Sequence, residues 1–287
     1  MPCQPPRLTT PSACRRSGPS PELWERIEPI LLRHYPPAKT GRPRPDLRAV
    51  IDGIIYRLRT SVQWDQLPRR FGAPTTVHGW FQRFVSDGVL EEIWACLVRE
   101  CEELGAVCWQ WQAADGVMGK SRFCGDKRGP NPTDRAKSGT KKSVIVEASG
   151  APLGTAIEGA NVHDAKLLAA TIEAIVVERP DPEQVVQHLC LDKAYDNPTG
   201  EGACEQASYM PHIRRIGEEK LDQAGLKRHP ARRWVVERTI AWLQKCRALL
   251  VRYDKKAENY LGLIQLACAL IWARRLHRLG WGAGVSG

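Results

Sequence analysis

The chain has 287 residues, 43% of them hydrophobic and 26% charged, a composition typical of one large or two ordinary globular domains rather than of a disordered or fibrous protein. Lys and Arg (42) outnumber Asp and Glu (32) and give a net charge of +10. This excess favours a polyanionic partner, with nucleic acid preferred over an acidic membrane surface or a purely solubilising role.

The sequence shows no pattern of a membrane or secretory segment. Its longest apolar stretch, from Tyr260 to Ala273, is interrupted by Gln265 and is too short to span a bilayer. No apolar block follows Arg15 and Arg16, so we expect neither a signal peptide nor a membrane anchor. The 10 cysteines form no Cys-x-x-Cys pair, which argues against a zinc module or a disulfide framework and favours buried free thiols in a reducing cytoplasm.

The N-terminal part is expected to hold a disordered leader and then helices. Residues 1–19 are rich in proline and poor in apolar side chains. Ser20, followed by Pro21, predicts the start of a first helix, and Asp46, after a basic linker, predicts the start of a second. The apolar residues after Asp46 recur at helical spacing, at Leu47, Val50, Ile51, Ile54, Ile55 and Leu58.

A helix-turn-helix is predicted next. A short helix from Asp65 to Phe71 would end at a Gly-Ala-Pro turn, and Thr75 would cap the recognition helix. Its buried stripe would be Val77, Trp80, Phe81, Phe84 and Val85. The DNA-binding candidates on its polar face are Thr76, His78, Gln82 and Arg83. A plain helical bundle with a polar outer face is the alternative. A further helix, from Gly88 to about Leu104, would close a domain of residues 20–104.

A second domain is predicted over residues 105–279, with a flexible tail at 280–287. An alternating segment, residues 106–116, predicts a strand that ends near Asp115. Residues 119–142 predict a mobile basic loop, whose phosphate-binding candidates are Lys127, Arg128, Lys141 and Lys142. The elements expected after it are a hairpin around 149–150, a helix over 163–178, a strand over 188–192, a helix from 197, a strand over 209–216, and helices over 231–279 with a break near 254.

Three carboxylates, Asp115, Asp192 and Glu237, lie at strand ends or on a helix with an apolar face. Mg²⁺ prefers carboxylate oxygens, and two such ions can promote an in-line phosphoryl displacement. These three acids therefore form a candidate catalytic and metal-binding set. Glu237 taken alone would more simply be a solvated surface charge.

Other side chains near these acids have competing interpretations. Asp196 precedes a helix start and is expected to cap it rather than to bind metal. His163 and Asp164 are likewise expected to cap a helix, with support of the metal ligands as the alternative. Trp234 and Trp242 are expected in the core, although an indole can also stack on an exposed base.

Five ordered segments carry a resemblance to a known family. They are Ala114-Asp115-Gly116, Asn131 to Lys141, Ala160-Asn161-Val162-His163-Asp164, Leu191 to Asp196, and Trp234 to Leu243. In this order they resemble bacterial insertion-sequence transposases with a DDE catalytic triad, and the nearest group is that of insertion sequences four and five. The similarity runs from about residue 20 to residue 279, which makes it far more specific than any single motif.

The resemblance implies an α/β fold, with an RNase H-like catalytic domain, a mixed five-stranded sheet with helices, preceded by an all-α helix-turn-helix domain. It implies that Asp115, Asp192 and Glu237 hold two Mg²⁺ ions, for which Mn²⁺ can substitute. The implied reaction is cleavage of double-stranded DNA at terminal inverted repeats, followed by attack of the freed 3′-OH on target DNA. A homodimer on DNA, in the bacterial cytoplasm at the nucleoid, is expected.

The family's signature around the glutamate contains a tyrosine, an arginine, the glutamate and a lysine. Arg233 and Glu237 match it, whereas Pro230 and Gln244 stand where tyrosine and lysine would. The DNA-binding candidates near the glutamate are Arg233, Arg238 and Lys245. Two alternatives to a transposase stay open: a catalytically inactive, transposon-derived DNA-binding protein and a metal-dependent nuclease without strand transfer.

Overall fold

The computed structural model describes residues 18–37, 40–41, 43–213 and 234–280. Most of the predicted leader and of the predicted tail lies outside these residues, as do Pro230 and Arg233.

The N-terminal part folds into four helices. They are α1 (Pro21–His34), α2 (Leu47–Thr60), α3 (Pro74–Ser86) and α4 (Val89–Glu103). The predicted N-caps of the first two are confirmed: the Ser20 hydroxyl accepts a hydrogen bond from the Leu23 amide, and the Asp46 carboxylate accepts one from the Arg48 amide. All six apolar residues predicted to line α2 are buried.

The predicted helix over 65–71 is wrong, because two short 3₁₀ turns, Trp64–Gln66 and Arg69–Phe71, stand in its place. Pro68 lacks the amide needed to continue a helix and holds the preceding Leu67 in an extended conformation. The predicted cap at Thr75 is also wrong. Helix α3 begins at Pro74, a residue whose fixed φ suits the first helical position, and Ala73 is its N-cap.

The rest of the described chain is organised around one mixed sheet. Its strands are β1 (Trp111–Ser121), β2 (Gly129–Pro130), β3 (Ser138–Glu147), β4 (Pro152–Gly159), β5 (Gln187–Leu191), β6 (Tyr209–Ile213) and β7 (Val251–Arg252). The five main strands lie in the order β4-β3-β1-β5-β6. Strands β4, β3 and β1 are antiparallel neighbours, whereas β1, β5 and β6 run parallel. This is the RNase H-like arrangement that the resemblance implied.

Helices cover both faces of the sheet. They are α5 (Asp164–Glu173), α6 (Pro198–Gln206), α7 (Trp234–Gln244) and α8 (Ala257–Arg278). Helix α5 lies on one face, where the Thr171 hydroxyl bonds the Ser143 hydroxyl at 2.8 Å. On the opposite face, Lys142 Nζ donates at 2.7 Å to the carbonyl of Leu249, in the 3₁₀ turn that follows α7.

Several predicted bounds differ from the structure. Strand β1 begins at Trp111, five residues after the predicted start, and continues past Asp115 to Ser121. Helix α5 ends at Glu173 rather than at 178. The break expected near residue 254 contains β7, which pairs with the end of β1.

The predicted basic loop over 119–142 is wrong at both ends and is interrupted by β2. Residues 138–142 belong to β3, which is bonded to β1 on one side and to β4 on the other. Lys141 and Lys142 are consequently buried in a central strand. Only the segment 122–128 and the turn 131–137 remain as exposed connections outside strands.

The buried side chains of the helical part and of the sheet part form one continuous cluster. Helix α4 packs on α8, and the indole nitrogens of Trp94 and Trp272 both donate to the Pro152 carbonyl, at 3.1 and 2.5 Å. Among the helices described, none is long and apolar enough to cross a membrane.

Candidate active site

Asp115 and Asp192 occupy equivalent positions on two neighbouring parallel strands. The β1–β5 register pairs Ala113 with Cys190, and each aspartate lies two residues further along its strand direction. Adjacent strands are about 4.8 Å apart, and residues in register point to the same face. The two carboxylates are therefore brought side by side at the carboxyl end of β5.

The face on which these carboxylates lie follows from their neighbours. Gly116 faces α5, since a Cβ atom at Gly116 would lie 2.2 Å from Oδ1 of Asp164. Side chains alternate along a strand, so Asp115 points to the opposite face. That is the face of Lys142, which contacts Leu249 in the turn after α7.

Local hydrogen bonds orient both carboxylates. The Gly116 amide donates to Oδ1 of Asp115 at 2.7 Å. Asp192 directly follows β5 and caps a 3₁₀ turn, where it accepts a hydrogen bond from the Ala194 amide. Both side chains are half-buried, so solvent and a ligand can still reach them.

A buried tyrosine reports the local concentration of negative charge. Burial raises the pKa of Tyr195 above its ordinary range, and the carboxylates of Asp164, Asp115 and Asp192 raise it further. Asp164 is itself paired with Lys141, whose Nζ lies 2.9 Å from Oδ2. Negative charge therefore collects near the Tyr195 hydroxyl, where a cation would be stabilised.

Glu237 lies in the first turn of α7, and its side chain is exposed. Helix α7 packs against β1 and β3, the strands that carry and flank Asp115. The Thr239 hydroxyl fixes this helix to the β3–β4 hairpin by donating to the Gly150 carbonyl. Within the described ranges, however, no three His, Cys, Asp or Glu side chains are grouped so that they could hold a metal ion.

The competing side chains near the acids are placed as follows. Asn197, not Asp196, is the N-cap of α6, so the capping role expected for Asp196 is wrong. His163 is the N-cap of α5, as expected, and its Nδ1 accepts from the Ala165 amide at 3.4 Å. Trp234 is 56% exposed and does not belong to the core, whereas Trp242 is half-buried.

The recognition-helix candidates of α3 differ in accessibility. Arg83 is exposed, whereas Thr76, His78 and Gln82 are half-buried. The His78 ring stacks on Trp64 with centroids 4.7 Å apart, and burial lowers the pKa of His78. The buried stripe predicted for this helix is confirmed at Val77, Trp80, Phe81 and Phe84, with Val85 half-buried.

The four lysine and arginine candidates of the predicted basic loop separate into two groups. Lys127 and Arg128 are exposed on the connection between β1 and β2. Lys141 and Lys142 are directed to internal partners, Asp164 and the Leu249 carbonyl respectively. The expectation that these two buried lysines lie on a DNA-binding loop is therefore wrong.

Arg252 is a buried residue to which sequence reasoning assigns no role. It is 3% exposed, and its guanidinium donates to the carbonyls of Asp126, Lys127, Asp254 and Lys255. Arg252 thereby holds the exposed loop that carries Lys127 and Arg128. Its remaining partner is the Thr140 hydroxyl of β3, at 3.0 Å. No local pattern predicts this role, because four of the five partners are backbone carbonyls and the fifth comes from a strand more than 100 residues away.

Of the candidates around Glu237, Arg233 lies outside the described residues. Arg238 is half-buried and its guanidinium lies 4.7 Å from the Trp234 ring centroid and 4.8 Å from that of Trp242. Lys245 is exposed at the end of α7.

The strand order defines an RNase H-like fold, and two family models identify the chain's relatives. The model "Transposase DDE domain" matches residues 117–272, and "Putative transposase of IS4/5 family" matches residues 20–94. The chain belongs to the DDE transposases of bacterial insertion sequences.

One relative is the "Putative transposase for insertion sequence element IS402" of Burkholderia cepacia, 34% identical over 165 residues, which are 56% of this chain and 76% of that one. Among solved structures, the catalytic core domain of BIV integrase has a TM-score of 0.30 at 15% identity and covers 60% of this chain and 98% of its own. The catalytic domain of Mos1 mariner transposase has a TM-score of 0.27 at 11% identity, with coverages of 66% and 91%. The fold assignment rests on the strand order, since both TM-scores are low.

Proposed function

We propose that this protein is an active transposase that binds the terminal inverted repeats of its insertion sequence, cleaves them in a metal-dependent reaction and transfers the freed 3′-OH to target DNA. The observation that carries the proposal is that Asp115 lies on β1 and Asp192 directly follows the parallel strand β5, each two residues beyond the register pair Ala113–Cys190, in a chain of the DDE family.

The donor chemistry fits a divalent cation. Asp115 and Asp192 supply hard carboxylate oxygens from adjacent strands, and Glu237 supplies a third from the helix that packs beside β1. These three residues would hold Mg²⁺ or Mn²⁺, two ions in the full proposal. The bound metal would supply Lewis-acid stabilisation of the charge that develops on a phosphoryl group.

The chain's own residues have distinct tasks in this proposal. The amides of Gly116 and Ala194 orient the two aspartates by hydrogen bonding. The Thr239 hydroxyl and Arg238 hold the N-terminal half of α7 on the β3–β4 hairpin, which fixes the helix that presents Glu237. The exposed cations Arg83, Lys127 and Arg128 would contact DNA phosphates.

Two transposon ends must be held together for a complete reaction, so we propose that two copies of this chain act as a homodimer on DNA. The helices of residues 20–104 would bind the terminal repeats, and residues 105–279 would carry the chemistry. Both parts share one continuous core, so these separate roles do not require two separately folded domains.

The test uses a DNA fragment that carries the nucleotides flanking this coding sequence on both sides, a supercoiled target plasmid and Mg²⁺. We expect nicks at the fragment ends that leave 3′-OH groups, and then joined products of fragment and plasmid. Hydrolysis without joined products would instead identify a nuclease.

One structural observation favours a second candidate, a DNA-binding protein without catalysis. The described residues contain no preassembled group of three metal-binding side chains. Retarded fragments with no cleavage in either Mg²⁺ or Mn²⁺ would identify this second function and contradict the first.

A further inference from the structure

A concave, strongly basic surface lies between α7 and the C-terminal half of α8. It encloses about 520 Å³ and is lined by the five cationic side chains Arg238, Lys245, Arg274, Arg275 and Arg278, together with Trp242, Ile271, Ser149 and Ala151. We call this surface the basic cleft. Among the residues that the structure describes, none of those lining the cleft is a carboxylate.

The positive charge of the basic cleft is poorly compensated by the protein itself. Arg275 pairs with the buried Glu147, at 2.8 Å. Within the part of the chain that the structure describes, no carboxylate lies within ion-pair distance of Lys245, Arg274 or Arg278. These three side chains are exposed, so their charges remain available to a ligand.

Like charges also lie close to one another behind the cleft. Burial lowers the pKa of Arg59, and the positive charge of Arg274 lowers it further. Cations gathered in this way repel one another, and an anion placed among them would relieve the repulsion. A concave surface concentrates this potential more than a flat one.

The walls of the cleft are fixed by contacts with the β3–β4 hairpin. On α7, Arg238 donates to the Ser149 carbonyl while its guanidinium packs between two indole rings. On α8, Arg275 bonds to Glu147, Ser149 and the Ala106 carbonyl. The same turn thus anchors both helices, so little ordering is needed when a ligand binds.

We infer that the basic cleft binds the sugar-phosphate backbone of one DNA strand, with the α8 arginines Arg274 and Arg278 contacting successive phosphates. Guanidinium groups bind phosphate in a bidentate manner, and the Trp242 indole offers an apolar surface to a sugar or base. The identity of the polyanion as DNA rests on the proposed function. Arg238 and Trp242 of α7, the helix that carries Glu237, line the cleft, so a strand bound there would contact that helix.

The test is a binding measurement that needs no catalysis. The full chain is titrated, in EDTA, into a fluorescein-labelled 30-base-pair duplex and into the corresponding single strand, at several salt concentrations. The test variant is Arg274→Gln/Arg278→Gln. The matched control, Arg99→Gln/Lys166→Gln, removes the same charge from two exposed helical positions outside the cleft.

We expect the test variant to bind DNA roughly tenfold or more weakly than the control, with the slope of log K against log salt reduced by about 1.8 on the duplex or about 1.4 on the single strand. If the test variant loses affinity for the duplex, the cleft binds double-stranded DNA; if it loses affinity for the single strand, the cleft binds single-stranded DNA. Lys245→Gln, on the opposite wall, should reduce the slope by about half as much.

An affinity and slope equal to those of the control, on both probes and with unchanged thermal melting of the variant, would overturn the inference. Because the assay contains no metal, its outcome does not depend on whether the protein cleaves DNA. Loss of binding in a protein that never cleaves DNA would support the cleft and contradict only the proposed function.

Discussion

Lys142 is a buried cation in a central strand, 3% exposed, and burial lowers its pKa to about 8. Its ammonium group donates to the Leu249 carbonyl and lies 6.0 Å from the centroid of the Tyr260 ring. No carboxylate of the described residues is within ion-pair distance of it. Lys142 therefore joins the turn after α7 to the sheet at the expense of a desolvated charge.

This depressed pKa makes the stability of the protein depend on pH. Between the folded pKa of about 8 and the ordinary value of 10.5, the unfolded chain binds more protons at Lys142 than the folded chain does. The free energy of unfolding contributed by this residue must therefore rise with pH over that window.

We expect the free energy of unfolding of the wild-type protein to rise relative to that of Lys142→Met by about 2–3 kcal/mol between pH 7.5 and pH 10. Urea unfolding followed by tryptophan fluorescence measures the free energy of unfolding of both proteins. Lys166→Met, which removes an exposed lysine of α5, should show no such trend. The prediction is contradicted if the free energy of unfolding of the wild type, minus that of Lys142→Met, stays constant or falls as the pH rises. The Lys142 ammonium would then not be buried as assigned.

At the scale of single residues, the sequence was informative where a side chain acts on its own backbone or at a strand end. Ser20, Asp46 and His163 are caps, as their positions predicted. Lys141 and Lys142 were not predictable in this way. Charge and a Gly/Pro-rich context indicate a loop, whereas burial depends on strands that pair from distant parts of the chain.

Helix α7 depends on one tight turn for its position. Gly150 has a φ of +94°, and a Cβ atom there would lie 3.0 Å from the Thr239 hydroxyl and 3.1 Å from Val235. Only glycine therefore allows the turn to approach the helix so closely. The Thr239 hydroxyl in turn donates to the Gly150 carbonyl.

We expect Thr239→Val to lower the free energy of unfolding by about 1–2 kcal/mol, because it leaves the buried Gly150 carbonyl without its donor. Since α7 carries Glu237, DNA cleavage should also fall, at temperatures where the variant is fully folded. Thr239→Ser retains the hydroxyl and should restore most of the stability and the activity. A larger loss with Ser than with Val would show that the methyl group, which Val retains, positions α7 instead of the hydrogen bond.

Elements were predicted correctly where a capping residue and an apolar periodicity indicate the same helix. They were predicted wrongly where pairing between distant strands determines the structure. Helices α1 and α2 combine a cap with an unbroken apolar spacing. The second half of β1 reads as polar, yet it is a strand because β3 and β7 bond to its two sides. The hydrogen bonds that define it come from residues about 20 and 130 positions away, which no local pattern can reveal.

The whole molecule has one continuous core, although the composition allowed two separate ones. Helix α8 supplies the surface on which α4 and α3 pack, and its Trp272 shares the Pro152 carbonyl with Trp94 of α4. The apolar faces of the N-terminal helices are thus covered by the C-terminal end of the chain.

We expect the fragment 20–104 to lack a cooperative unfolding transition when it is produced alone, since its buried face on α8 would be exposed to water. Circular dichroism during heating measures this. The full chain should unfold in one transition that is the same by circular dichroism and by tryptophan fluorescence. A cooperative transition of the fragment at a temperature close to that of the full chain would show an independent domain.

At the scale of the whole molecule, the fold shows where part of the net charge of +10 lies. Part of it is used internally, as at Lys142, Arg252 and Arg275, which bind carbonyls or a buried carboxylate. The exposed remainder includes the basic cleft, which lies beside the helix that carries Glu237. The total charge predicted a polyanionic partner, but the cleft depends on two helices that only the fold brings together.

The most direct test of the proposed function is the rate of Mg²⁺-dependent cleavage of end-bearing DNA by Asp115→Asn, Asp192→Asn and Glu237→Gln. Each variant keeps the shape of the side chain and removes its charge. Asp196→Asn is the matched control, an exposed aspartate four residues from Asp192. We expect each of the three variants to lose more than about 100-fold in cleavage rate, which exceeds the loss typical of residues that only support metal ligands. DNA binding should be retained, and the control should cleave within about tenfold of the wild-type rate. Cleavage at the wild-type rate by any one of the three would contradict the assignment of that carboxylate to the active site.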